Sequence, residues 1–416
     1  MKRYIIKITV AFLIMVIAMS GTMPLHAAAS PGNVIINGQV TYQPRDWNGI
    51  SNYRTGNEMK IDLYEKDLQG RRHYLDTTNT DGNGNFTFPS KDLGHLTNWW
   101  GFDGQQLNIY FVIETVYPNT SVTDRSFAQY AFDNYNDPTF LSYDGTWTKN
   151  FVVTQSWPDY QAIWIFEDLR NTWNYVHNND FRNGVPYNPG NVTAVWEPSL
   201  NCWPTQLPDW LNIPCGSFSY GGIPIHFIFI ADNQNTSMDV VVHETGHMFM
   251  INANGYWYLG CLMHSIPSIS DAHCAWAEGW ADFLPLPVNG DQCYNFVPNP
   301  CDGIADQNYY NLEVHSRTDN PNIPNPFYWG DTVEGRVAAA LYDLYDSNNE
   351  GYDRRSAGFD PISNIALGSN QITTFHDFWS AWIDSDQDQF LSGLTLWWNT
   401  INYDNIQQIF LPAISK

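Results

Sequence analysis

Two apolar runs, Val240-Val241-Val242 and Met248-Phe249-Met250-Ile251, enclose the segment His243-Glu244-Thr245-Gly246-His247. No other part of the sequence restricts the chain as much. The flanks predict a buried helix from Asp239 to Ile251, where two imidazoles and a carboxylate are costly unless something pairs with them. Residues four apart share a helix face, so His243 and His247 present their rings to one point. A metal ion at that point accounts for the burial. Glu244 projects about 100° further round, near such an ion without having to bind it, and is placed to take a proton from water activated there. A helix with two incidental histidines is the competing reading, and it leaves the burial unexplained.

A catalytic zinc keeps three protein ligands and one open position. Downstream, Ala275-Trp276-Ala277-Glu278-Gly279-Trp280-Ala281-Asp282 carries E-x-x-x-D at helical spacing. Glu278 can complete the ligand set, and its neighbours Trp276, Ala277, Trp280 and Phe283 argue against an exposed glutamate. Asp282, one turn on, can accept the outer N–H of His243 and fix that ring. The rival three-histidine pattern H-E-x-x-H-x-x-G-x-x-H puts Met250 and Ala253 at its later positions, and neither fits. His264 and His273 lie between the two helices and read as ordinary loop residues.

The pairing of HETGH with AEGWAD resembles the gluzincin metallopeptidases, the thermolysin-like clan. That resemblance implies His243, His247 and Glu278 as zinc ligands, Glu244 as general base and Asp282 as supporting carboxylate. It covers residues 223 to 285, and the helical C-terminal segment agrees in kind. The gap from His247 to Glu278 is longer than in thermolysin-like enzymes, and no propeptide is recognisable. The resemblance also implies a Tyr or His from the C-terminal region as transition-state stabiliser. Among His315, Tyr328, Tyr342 and His376, the loop-like setting favours His315 or Tyr328.

The N-terminus reads MKRYIIKITVAFLIMVIAMSGTMPLHAAAS. Lys2, Arg3 and Lys7, the apolar run Ile8 to Met19, and Ala27-Ala28-Ala29 make the three parts of a secretory signal over residues 1–29. The run is short for an uncleaved anchor, which needs roughly 20 residues. Removing three basic residues makes the net charge still more negative than −24. So acidic a surface argues against nucleic acid or anionic membrane as partner. The expected protein is secreted and monomeric, with peptides or proteins as substrates. All six cysteines, Cys202, Cys215, Cys261, Cys274, Cys293 and Cys301, fall in the second half. In an exported chain an even count suggests disulfides, and the clustering favours 202–215, 261–274 and 293–301. The second of these would staple the connection between the two metal helices and help hold Glu278.

The expected fold class is α+β. Residues 30–155 read as a β-sandwich: NVIINGQVTY (33–42) and MKIDLY (59–64) alternate, TDGNGNFTF (80–88) turns into a strand, and LNIYFVIET (107–115) is β-rich. The early I-x-G-x-V strand and later D-x-x-G-x-F turn resemble transthyretin-like, carboxypeptidase-regulatory-like modules. Residues 156–416 read as a zincin-type catalytic domain. Its first part, 156–288, holds a small sheet and the metal helices, with strands at Asn191 to Trp196 and Ile223 to Ala231 and a helix over Tyr160 to Val176. Its second part, 289–416, is mainly helical. The helix 333–346 carries a core stripe, with Glu334 and Arg336 read as a structural pair. Asp346-x-Asn348-x-Glu350-Gly351 and Asp384-x-Asp386-x-Asp388 alternate oxygen ligands as calcium loops do, but both lack Glu at position twelve, and solvated turns fit better. Zinc is therefore the expected cofactor, with calcium a lesser candidate. The alternative function is a non-catalytic secreted binding or adhesion protein with a structural zinc; a structural site takes four protein ligands and gives Glu244 no task. Zinc-dependent hydrolysis of a substrate other than peptide is a third reading that the motif permits.

Overall fold

A computed structural model describes residues 33–45, 53–67, 69–92, 106–142, 145–202, 215–221, 226–255, 261, 264–296, 309–313, 328–348, 351–368, 372–385 and 387–403. The expected signal segment 1–29, Cys301 and His315 lie outside them. The described residues form a mixed α+β structure with several small sheets. They divide into two units, one drawn from residues 33–40, 61–112 and 133–151, the other from residues 41–60, 113–132 and 152–403.

In the first unit the alternating stretch Asn33–Tyr42 is a strand. It pairs antiparallel with Asn85–Asp92 and parallel with Gly145–Thr148. Val34 and Ile36 are buried while Ile35 and Asn37 are half-buried, the period of two that a one-sided strand requires. A second sheet runs in the order Thr139–Ser142, Gln106–Glu114, Lys60–Lys66, Arg72–Asn79. Phe86 and Phe88 of the first sheet meet Phe111 of the second, with ring centroids 5.3 and 6.1 Å apart. The turn before Asn85 closes because Asp81 Oδ1 accepts from the amides of Asn83 and Asn85, both at 2.8 Å, while Gly84 takes φ 74°.

The second unit is built round a sheet ordered Phe218–Tyr220, Phe227–Phe229, Val192–Val195, Thr120–Thr123, Val116–Tyr117. Val192–Val195 runs parallel to both neighbours; the outer strands pair antiparallel. This unit thus draws segment 113–132 from well upstream of residue 155. Val122, Ala194, Val195, Ile228 and Phe229 are fully buried, as central parallel strands covered on both faces should be.

Four helices carry or brace the site. The amphipathic stretch after Tyr160 is the helix Gln161–Asn179. Met238–Asn254 carries the histidines. Ser237 Oγ accepts from the Val240 amide at 3.2 Å to cap its start, and Gly255 ends it with φ 61°. Ala272–Phe283 carries Glu278 and Asp282 and is capped by Asp271, which accepts from the amides of His273 and Cys274. Glu334–Tyr345 packs against it. Two glycines set how closely these three helices approach. A Cβ on Gly246 would stand 3.4 Å from Ala281 Cα, and one on Gly279 would stand 2.6 Å from Val337 Cβ and 2.9 Å from the Glu334 carbonyl. The short helix Phe359–Ala366 and the strand Thr120–Thr123 have no counterpart in the sequence reading.

Candidate metal centre

His243 and His247 lie one turn apart on the helix Met238–Asn254, with their Nε2 atoms 3.1 Å from each other. Glu278 Oε2, from the helix Ala272–Phe283, stands 3.2 Å from His243 Nε2 and 3.1 Å from His247 Nε2. Tetrahedral vertices around a metal at 2.0–2.1 Å are separated by about 3.3 Å. The three atoms therefore form one face of such a tetrahedron. Two imidazoles and a carboxylate are also the donor chemistry of a catalytic divalent site. His243 and Glu278 are buried and His247 half-buried.

The supporting groups follow the same helices. Asp282 Oδ1 accepts from His243 Nδ1 at 2.9 Å, leaving Nε2 directed at Glu278. Asp282 is 1% exposed, so its charge is spent on that one ring rather than on water. Glu244 is buried beside its histidine neighbour. Its Oε2 lies 2.7 Å, and its main-chain carbonyl 2.9 Å, from Ser219 Oγ, which donates its single proton to one of the two. Ser219 belongs to the edge strand Phe218–Tyr220. Burial works against charging His243, but hydrogen bonds to Asp282 and Glu278 dominate and hold its pKa well above the ordinary value. Burial likewise opposes ionising Glu278, while the imidazoles, His247 foremost, hold its pKa well below the usual carboxylate range. The cluster is thus arranged to keep positive charge at its centre.

His264 joins this cluster from outside the helices. Its Nδ1 lies 2.9 and 3.2 Å from the two carboxylate oxygens of Glu334, and its Nε2 is 3.6 Å from Glu278 Oε2. Burial lowers its pKa, but the Glu334 hydrogen bond and the charges of Glu278 and Glu334 outweigh that and raise it to about 9. Burial, with Asp282 and Glu278 adding repulsion, pushes the Glu334 carboxyl up to about 7 against the pull of His264. From sequence His264 reads as an ordinary loop histidine, and Glu334 and Arg336 as structural charges. Glu334 pairs with His264, and Arg336 Nε donates to the Tyr328 carbonyl at 3.0 Å. The signal available in sequence was a histidine between two ligand helices and an acid opening a third helix. Nothing local connects them.

His243, Glu244, His247, Glu278 and Asp282 are brought together. Tyr328 is not gathered in with them: its side chain is 59% exposed, and its main chain bonds to Pro267 and Arg336. His273 Nδ1 pairs with the Thr373 carbonyl. Cys202–Cys215 and Cys261–Cys274 are bonded, and Cys293 is also in a disulfide. The Cys261 and Cys274 sulfurs lie within 4.8 Å of a Glu278 carboxylate oxygen, so the staple abuts the site. Among the described residues, His243, His247 and Glu278 are the gathered donors able to hold a metal ion, because the Cys261 and Cys274 sulfurs beside Glu278 are joined in a disulfide and offer no thiolate; neither calcium-like loop is gathered in this way.

A family model described as the mycolysin C-terminal domain matches residues 191–393, just under half of the chain. That span contains all the residues named in the cluster. No curated protein matches. Among solved structures, the chain is similar to a 9R-lipoxygenase from Cyanothece at 12% identity over 34% of its length. It spans 20% of that lipoxygenase, and the TM-score of 0.18 carries no information on fold or site. The mycolysin match and the donor set together favour a zinc-dependent metallopeptidase.

Proposed function

We propose that this chain is a secreted zinc endopeptidase. The observation that carries the reading is the triangle of His243, His247 and Glu278 donor atoms, 3.1–3.2 Å on each side, with Glu244 buried alongside. His243, His247 and Glu278 would hold the ion, and Asp282 would fix the His243 ring. Bound zinc would polarise the scissile carbonyl and lower the pKa of water to about 7. Glu244 takes a proton from the attacking water and passes it to the leaving amine, with the Ser219 hydroxyl 2.7 Å from its carboxylate. Water adds to the carbonyl carbon, the C–N bond breaks, and an acid and an amine are released. In this reading residues 1–29 direct export, most of 30–155 forms an appended β-sandwich domain, and 156–416, with strands drawn from 113–132, form the catalytic domain of a monomer acting on peptides or proteins.

A structural zinc would need a fourth protein ligand. The mutually close donor set comprises three residues among those described, which supports catalysis over the binding-protein alternative. The test compares the mature wild type with Glu244→Gln for zinc content and for cleavage of a mixed peptide library. About one zinc per chain is expected in both, with cleavage reduced by about 10²–10⁴-fold in the variant. Equal cleavage by the two proteins would remove Glu244 from the reaction.

A further inference from the structure

The ligand set and general base leave open the task of His264, which faces Glu278 and Glu334. It stands on a loop, 264–270, that main-chain hydrogen bonds lash to residues 328–335. The Tyr328 amide donates to the Pro267 carbonyl at 3.0 Å, Ser270 to Thr332 at 2.8 Å, and Gly335 to Ile266 at 3.0 Å. Ile269 and Val333 form a bridge between the same segments, and Cys261–Cys274 spans the loop. The ring is thereby presented to Glu334, a carboxylate only 1% exposed, which fixes Nδ1 and the plane of the imidazole.

That fixation aims Nε2 at Glu278 Oε2, the same oxygen that faces both ligand histidines. A bare lone pair on Nε2 would face an acceptor oxygen and be repelled; an N–H there is attracted. At 3.6 Å the contact is too long to consume a hydrogen bond. His264 also lies outside the set of donors in mutual reach. It is therefore an oriented donor with its bond unspent. The side chain is 30% exposed, against 7% for Glu278 and 2% for Glu334, so it is the member of this chain of groups that solvent reaches. Donors held rigidly beside the place where negative charge develops stabilise that charge without reorganising.

We propose, resting on the peptidase reading above, that His264 is a catalytic residue. From Nε2 it donates a hydrogen bond to the carbonyl oxygen of the scissile peptide as that oxygen gains negative charge. Glu334 is its positioning residue. The proton remains on Nε2 throughout, so no covalent change is asked of the ring. The group comes from the connection between the two metal helices rather than from the C-terminal region where His315 and Tyr328 lie.

The test uses the full mature protein as wild type, His264→Ala, His264→Gln and Glu334→Gln. Four quantities are measured: zinc per chain, kcat and KM on one cleaved peptide, and the Kd of a phosphinic pseudopeptide whose tetrahedral anion resembles the charged form of the substrate. His264→Ala is expected to lose about 10²–10³-fold in kcat, with zinc per chain unchanged and KM within about twofold. Its phosphinic Kd weakens by a comparable factor, while affinity for the product peptides stays the same. His264→Gln, which keeps an N–H, recovers part of the loss, and Glu334→Gln falls between. Undiminished kcat in His264→Ala, zinc lost in step with activity, or an unchanged phosphinic Kd would each overturn the assignment. If His264→Ala does not fold, His264→Gln and Glu334→Gln decide by the same readouts. A wild type that cleaves no peptide would remove the peptidase reading and this assignment together; an active wild type matched by the variants removes only the assignment.

Discussion

The ligand side of the centre and the His264 side are built by different means. His243, His247, Glu278 and Asp282 occupy successive turns of two helices, so helix geometry alone aligns each pair. His264 and Glu334 are 70 residues apart and meet because a loop is tied main chain to main chain to the segment that opens the helix Glu334–Tyr345. The first arrangement resists local disturbance, since a helix moves as a unit. The second depends on a loop, and the disulfide and main-chain bonds supply the order that a helix would otherwise provide.

The largest expected separation of the two sides comes from removing the Cys261–Cys274 bridge. Replacing both cysteines with serine should cost about 3 kcal/mol of stability for a loop of this length. It should also lower kcat, while zinc content at saturating zinc stays near that of the wild type. Denaturant melts alongside zinc analysis would show it; zinc lost in proportion to activity would mean that the helix pair is not autonomous.

Asp282→Asn acts on the helix side alone. Loss of the charged partner of His243 should weaken zinc about 10–100-fold, measured by competition with a chelator of known affinity. Stability of the loop should not change. Affinity within twofold of the wild type would show that the 2.9 Å contact does not support the ligand.

The smallest effect is a pH dependence on the loop side. The His264 pKa stands at about 9 in the fold against 6.5 for an unperturbed ring, so the folded state favours the protonated form. The resulting stabilisation is complete below pH 6.5 and is lost as pH rises through about 9. In chelator-treated protein, the melting-temperature gap between wild type and His264→Gln should therefore narrow across that interval. A gap that stays constant would mean the ring carries no extra proton in the fold.

How much of this was legible beforehand differs along the same lines. The helices round His243 and Glu278 were readable because a 3.6-residue period, apolar flanks and ligand spacing all agree within a dozen residues. The strands Asn33–Tyr42 and Gln106–Glu114 were readable from alternation or β-rich composition for the same local reason. Ser219 was not readable: a serine in a short Gly/Ser/aromatic stretch says nothing until the edge strand lies against the helix carrying Glu244. The place of 120–123 was hidden too, because a parallel partner 72 residues away leaves no trace in the strand's own composition.

The amino-acid order alone determined which face of each metal helix carries the donors, since periodicity fixes side-chain direction whatever the surroundings. It also placed glycine at 246 and 279, which only the fold turned into points of close helix approach. Folding decided that Glu334 reaches His264, that Ser219 meets Glu244, and that Glu278 turns the same oxygen to both imidazoles. Those are contacts between segments far apart in the chain, and their energy depends on distance and burial that no stretch of sequence contains.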